Sequence, residues 1–204
     1  MTDAPTLGIL GTGPVGKAVA TKAVRAGWKV VLGNSRGPEA LKSFVEDLGP
    51  NARAGSAAEA AAQETVLLCI PFLRVPEVTS LTDWSGKIVI DATNQYATTG
   101  PYEGRADIGD VTGSEWIASH LPGARIVKSL NTMYASFIEA DPEHEEGRQV
   151  AFYAGDDGDA KGKVGTLLGQ LGFAPIDLGG LVAGGRLMQL DGALSGQHFL
   201  LQPV

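Results

Sequence analysis

The chain has 204 residues, 44% of them apolar and 19% charged, with a formal net charge of −7 and a single cysteine. That length suits one domain with its own core, and the composition excludes a disordered chain. The acidic balance excludes nucleic acid as a partner, because a phosphate backbone calls for clustered Lys and Arg, and the lone Cys69 excludes an internal disulfide.

Met1 to Thr6 carry an acid and a proline rather than a basic stretch followed by an apolar run. They read as lacking a secretory leader, so the expected location is cytoplasmic. Strands are predicted at Leu7–Leu10, Lys29–Leu32, Ala52–Ala54, Thr65–Ile70, Lys87–Asp91, Arg125–Ser129, Gln149–Ala154 and Ala174–Asp177. Helices are predicted between them at Val15–Ala26, Pro38–Leu48, Ser56–Gln63, Val75–Leu81, Gly113–His120, Ala160–Leu171 and Gly184–Phe199. The alanine run Ala57 to Ala62 reads as a packed crossover helix, since alanine is the strongest helix former. Asn94 to Gly113 has no period and reads as an irregular loop after the fifth strand. The run Asp141-Pro142-Glu143-His144-Glu145-Glu146 reads as a solvated loop. The longest apolar stretch, Val66–Leu73, falls far short of the roughly 20 residues that span a bilayer, so no membrane partner is expected. Alternation of short apolar runs with helical segments predicts an α/β protein. The expected architecture is a Rossmann-type, doubly wound, mostly parallel sheet over residues 1–204, with a helical C-terminal extension over about 182–204.

Gly11-Thr12-Gly13-Pro14-Val15-Gly16 follows the first predicted strand and opens the first helix, the context that gives G-x-G-x-x-G its meaning. Gly11 permits the tight turn, Gly13 lets a pyrophosphate approach the backbone, and Gly16 lets helix and strand pack closely. Pro14 is compatible with the first helical turn. About twenty residues on, where an NAD site places a carboxylate on the ribose, the chain reads Gly33-Asn34-Ser35-Arg36. An amide, a hydroxyl and a guanidinium there favour a 2′-phosphate, and hence NADP(H) over NAD(H). Asn34 and Ser35 are equally able to cap the next helix.

Six landmarks carry a resemblance: Gly8–Gly16, Leu32–Arg36, Ile70-Pro71, Asp91–Asn94, Val127–Met133 and Asp177–Leu181. In this order the chain resembles the NADPH-dependent deazaflavin (factor 420) reductases and their single-domain relatives. The resemblance implies a nicotinamide held at the carboxyl edge of the sheet against a flat hydride donor or acceptor, and a homodimer. It implies phosphate contacts at Thr12, Asn34, Ser35 and Arg36, a loop over the nicotinamide at Ile70 and Pro71, and pocket walls at Asn94, Asn131 and Thr132. The chain also resembles the amino-terminal halves of β-hydroxyacid dehydrogenases and imine reductases, without room after Ala154 for their large helical domain.

No acid or base stands out. His120, His144 and His198 read as helix or surface residues, and no His and carboxylate spacing supports a metal. Cys69 reads as a core residue. Lys128 and Asn131 are the candidate catalytic groups; a lysine reaching solvent from the strand end is the alternative for Lys128. Tyr96, Tyr102 and Tyr134 are placed to stack on a planar substrate or to fill the core. Hydride transfer between flat partners needs position more than proton transfer. An apolar slot of Ile70, Pro71, Phe72, Asn94, Asn131, Met133 and Leu181 suits it. The expected activity is hydride transfer between NADP(H) and a small planar partner, a deazaflavin, a flavin or a quinone. The alternatives are a non-catalytic NADP(H) sensor and a small carbonyl or imine reductase. Leu187, Met188, Leu190, Leu194 and Leu200 are spaced to pack the last helix on the sheet or across a dimer.

Overall fold

The runs of Leu, Val and Ile form strands because β-branched and large apolar side chains fill both faces of a covered sheet. A computed structural model describes residues 4–100 and 103–202. Its first half contains β1 (Thr6–Leu10), α1 (Pro14–Arg25), β2 (Lys29–Gly33), α2 (Lys42–Leu48), β3 (Ala52–Gly55), α3 (Ala57–Ala61), β4 (Thr65–Leu68) and β5 (Ile88–Asp91). Its second half contains α4 (Gly113–His120), β6 (Arg125–Ser129), α5 (Ala135–Glu139), β7 (Glu143–His144), β8 (Gly147–Gly155), α6 (Gly158–Gln170), β9 (Ala174–Asp177), α7 (Leu181–Met188) and β10 (Leu200–Leu201).

Six strands run parallel in the order β3-β2-β1-β4-β5-β6. This is the strand order of the dinucleotide-binding folds, and the mostly parallel Rossmann-type architecture is as the sequence predicts. The chain reverses direction across the sheet between β1 and β4, leaving a crevice at their carboxyl ends. Beyond β6, β8 turns antiparallel and carries β9 parallel and β7 and β10 antiparallel to itself. One core cluster packs α1, α5 and α6 on one face, and another packs α3, α4 and Phe72–Val78 on the other.

The crossover helix α3 lies close enough to the sheet to dictate sequence on both sides. A Cβ on Gly8 would stand 2.0 Å from the Ala60 carbonyl oxygen, and one on Gly33 would stand 2.8 Å from that of Ser56. Glycine in the strands and alanine in the helix therefore fit together. A capping box starts α3, with Ser56 accepting from the Glu59 N–H and Glu59 accepting from the Ser56 N–H. Thr112 and Glu115 do the same for α4.

Several predicted elements differ. Phe72–Leu81 is a run of 3-10 turns rather than an α-helix over Val75–Leu81, because Pro76 lacks the N–H an α-turn needs. Pro38–Leu48 divides into a 3-10 turn at Pro38–Leu41 and α2. The charged run from Asp141 is half of a hairpin, with β7 paired to a β8 that starts at Gly147. The predicted helix Gly184–Phe199 is replaced by α7, a series of turns, and β10. Asp191 takes φ +66° after α7, and Gly192 packs where a Cβ would stand 2.4 Å from the Leu187 carbonyl oxygen. The chain thus folds back on its own helix end, and Leu200 joins the edge of β8. Tyr102 lies outside the described residues. Among the described residues no helix is long and apolar enough to cross a membrane.

Candidate functional site

At the β1/β4 crevice each glycine of the loop meets a different constraint. Gly11 has φ +105°, and a Cβ there would lie 2.4 Å from the Cys69 carbonyl oxygen. A Cβ on Gly16 would lie 2.1 Å from the Gly11 carbonyl oxygen. Gly13 is different, since a Cβ there would meet nothing within 4 Å. Its missing side chain relieves no internal clash and leaves room for a group from outside. Gly13 caps α1 without any side-chain partner for the first-turn N–H groups, and no acid stands in that turn. Unpaired amides at the positive end of a helix dipole attract an anion.

The end of β2 is braced to this loop. The Gly11 N–H donates to the Gly33 carbonyl at 3.1 Å, and Asn34 Nδ2 donates to Thr12 Oγ1 at 2.9 Å. Asn34 Oδ1 accepts from the Arg36 N–H at 2.9 Å, so Asn34 spans the two loops and turns Ser35 and Arg36 outward, where both are exposed. No carboxylate within ion-pair distance holds the Arg36 guanidinium among the described residues.

These loops line a cavity of about 430 Å³ together with Ala57, Cys69–Pro71 and the turns from Arg74 to Leu81, a size that suits a cofactor. A larger hollow of about 810 Å³ lies at the opposite sheet edge, by Thr6, Trp28, Glu64 and Lys163. It lacks the glycine loop and the strand carboxyl ends at which such folds receive ligands. Cys69 Sγ lies 3.3 Å from the Leu10 carbonyl oxygen and 3.1 Å from that of Gly11. Burial pushes its thiol up to about 12, which keeps it protonated.

The neighbouring strand ends, β5 and β6, are occupied by their own polar groups. Lys128 is 2% exposed, and its Nζ lies 3.1 Å from Asp91 Oδ2 and 3.1 Å from the Thr93 carbonyl oxygen. Asp91 is fully buried and also accepts from Ser114 Oγ at 2.6 Å and from the Thr93 N–H and hydroxyl at 2.8 and 2.7 Å. Lys128 therefore neither reaches solvent nor lines the cavity. Asn131 Nδ2 donates to Asn94 Oδ1 at 3.1 Å and to the Met188 carbonyl at 2.7 Å, and Asn94 Nδ2 donates back to the Asn131 carbonyl at 3.0 Å. Leu130, just before, sits at φ +63°, a conformation that favours glycine and that these bonds maintain. Thr132 is buried, and its carbonyl accepts from the Gly196 N–H.

The structure thus gathers Gly11, Thr12, Gly13, Asn34, Ser35, Arg36, Ile70 and Pro71 around one cavity. Pro14, Val15 and Gly16 form the start of α1 beside it. Asn94, Asn131 and Thr132 form a separate knot next to Met188 and do not line the cavity. Phe72, Met133 and Leu181 are buried in the core, whereas Tyr134 is 65% exposed and packs edge-on to Phe137. His120 packs at a tilt against Trp116, and His198 stacks on Phe137. Among the described residues no three His, Cys, Asp or Glu side chains form a metal-binding group. Arg74, Glu77, Val78 and Leu81 line the cavity without having been singled out in the sequence. Their i, i+3, i+4, i+7 spacing after Ile70-Pro71 is the signal that marks one face of a helical segment.

Residues 6–95, from β1 through β5 into the following loop, match the family model described as NADP oxidoreductase, coenzyme F420-dependent. The match covers somewhat less than half of the chain, and over it the chain is similar to this family. Among solved structures, the chain is similar to a hypothetical protein from Sinorhizobium meliloti, with 34% identity, 98% of this chain and 96% of that one covered, and a TM-score of 0.89. It is also similar to a putative F420-dependent NADP reductase from Arthrobacter sp. FB24, with 27% identity, 87% and 86% coverage, and a TM-score of 0.72. The metalloreductase STEAP3 of Rattus norvegicus is 30% identical over 183 residues, which are 89% of this chain and 35% of that protein. The chain therefore spans about a third of the length of that relative. A reductive aminase from Aspergillus terreus, 20% identical with a TM-score of 0.64, shares the fold.

Proposed function

We propose that this oxidoreductase binds NADP(H) in the β1/β4 crevice and passes hydride between it and a planar redox partner, either a deazaflavin or a flavin or quinone. The observation that carries the reading is the open space at Gly13 joined through the Thr12–Asn34 bond to an outward Arg36 with no ion-pair partner among the described residues. The residues fit the cofactor: backbone amides of the glycine loop for the diphosphate, and Asn34, Ser35 and Arg36 for the 2′-phosphate. When bound, the nicotinamide supplies the hydride. Ile70 and Pro71, at the end of β4, give that end of the cavity an apolar wall that excludes water.

The engagement of Lys128 by Asp91 and Thr93 supports a partner that needs no proton donor over a carbonyl or imine substrate. Purified protein mixed with NADPH and, in turn, oxidised deazaflavin, FMN and a simple quinone tests the reading. Loss of the nicotinamide absorbance band is the expected result with at least one acceptor. Tight NADPH binding without turnover of any of them would move the protein to the sensor reading.

A further inference from the structure

We infer that Arg74 is a second cationic ligand of the nucleotide, directed at the diphosphate and held ready by Glu77. The inference rests on the NADP(H) reading of the crevice. Among the residues lining that cavity, the charged side chains are Arg36, Arg74 and Glu77. A carboxylate on the wall of a polyanion site is repulsive unless something neutralises it. Arg74 does so: its Nε lies 3.0 Å from both Glu77 carboxylate oxygens and its Nη2 lies 2.6 Å from Oε2. That fork uses one side of the guanidinium and leaves both Nη1 hydrogens without a protein partner among the described residues. A guanidinium is able to take a carboxylate on one edge and a phosphate on the other, because its five N–H donors lie in one rigid plane.

Two features of the loop raise the demand for such a ligand. Pro14 occupies the first turn of α1 and carries no N–H, so the amide cradle for the diphosphate is one donor short. Lys17, the first basic residue of α1, is turned away, with its Nζ 5.0 Å from the centre of the Phe44 ring. Arg36 follows the loop that replaces the ribose-binding carboxylate, which assigns it to the 2′-phosphate. Arg74 is then the remaining cation in the lining, one turn beyond Pro71, one turn before Val78 and two turns before Leu81. With Pro71 on one side of it and Val78 on the other along the same wall, Arg74 is assigned to the diphosphate between the two ends of the dinucleotide. Glu77 holds the guanidinium against the wall, and because the pair is exposed this ordering is worth less than the repulsion between its carboxylate and the diphosphate.

The test is calorimetric titration of wild type, Arg74→Gln, Arg74→Lys and Glu77→Gln with NADPH and with NADH. Arg74→Gln is expected to weaken both nucleotides by about ten- to a hundredfold and by the same factor, because the diphosphate is common to them. Arg74→Lys is expected to retain part of that affinity as a point charge, and Glu77→Gln to tighten both nucleotides by about two- to fivefold. A loss confined to NADPH would place Arg74 on the 2′-phosphate and overturn the assignment. So would wild-type affinity in Arg74→Gln, or weakening by Glu77→Gln, which would make the pair a structural brace. Should Arg74→Gln fail to fold, Arg74→Lys and Glu77→Gln carry the test through their opposite signs. Wild type that binds neither nucleotide ends the NADP(H) reading itself, whereas wild type that binds NADPH beside an unaffected Arg74→Gln ends this inference alone.

Discussion

The carboxyl edge of the sheet divides into an open part and a closed part. At β1, β2 and β4 the backbone leaves space at Gly13, unpaired amides at the start of α1 and outward side chains at Ser35 and Arg36. At β5 and β6 the polar side chains Asp91, Lys128, Asn94 and Asn131 turn inward and bond one another, and the turns after α7 close over them through the Gly196–Thr132 bond. The open part has the chemistry to receive a polyanion, and the closed part has the chemistry of a rigid wall. Function at such an edge comes from the contrast, because a preformed binding surface needs a neighbour that does not compete for it.

The largest expected effect is on the closed part. Lys128→Met would leave the fully buried Asp91 carboxylate without its cation. It should lower unfolding free energy by about 3–5 kcal/mol, as measured by urea denaturation. A change near zero would mean that the knot is not what holds the wall. Next come the two glycines of the open part, whose replacements should separate. Gly16→Ala, facing the Gly11 carbonyl, should cost about 1–3 kcal/mol of stability. Gly13→Ala, at φ −72° and in open space, should leave stability within about 0.5 kcal/mol while reducing nucleotide affinity. Equal stability losses in both would remove the argument that Gly13 is kept for a ligand.

A smaller effect than that of Gly16 concerns the start of α3, which supports the open part from beneath. Ser56→Ala should cost about 1 kcal/mol. Hydrogen bonds from the Ser56 backbone first, and then from Arg53, hold the Glu59 carboxyl at about 2 against its ordinary 4.5. A depressed carboxyl stabilises above its ordinary value and loses that contribution as pH falls toward the lowered one. Wild type and Glu59→Gln should therefore differ in stability at pH 6 and converge between pH 4.5 and 2. A difference that stays constant over that window contradicts the capping role.

The same contrast explains what was legible in the chain itself. Gly11, Gly13, Gly16 and Asn34–Arg36 form a pattern of fixed spacing after two strands, so spacing alone brought them to notice although Gly11 and Asn34 meet partners 58 and 22 residues away. Lys128 meets its partner Asp91 across 37 residues, and Asn131 meets the Met188 carbonyl across 57. No local pattern reports such distances, and a lysine at a strand end looks the same whether it reaches water or an aspartate. The tail misled for a related reason. The leucines near its end suit a helix or an edge strand, and Gly192 and the turns before Leu200 decided for the strand. Arg74 and Glu77 escaped notice because Arg74 precedes the predicted helix Val75–Leu81, and two opposite charges three residues apart look the same in a sequence whether they face water or a cavity.

The central claim is that the open part selects NADP(H) through Arg36. Titration of wild type and Arg36→Ala with NADPH and NADH tests it most directly. Wild type should prefer NADPH, and Arg36→Ala should weaken NADPH by about ten- to a hundredfold while leaving NADH nearly unchanged. Equal losses for the two nucleotides, or a wild type that binds them alike, would contradict it.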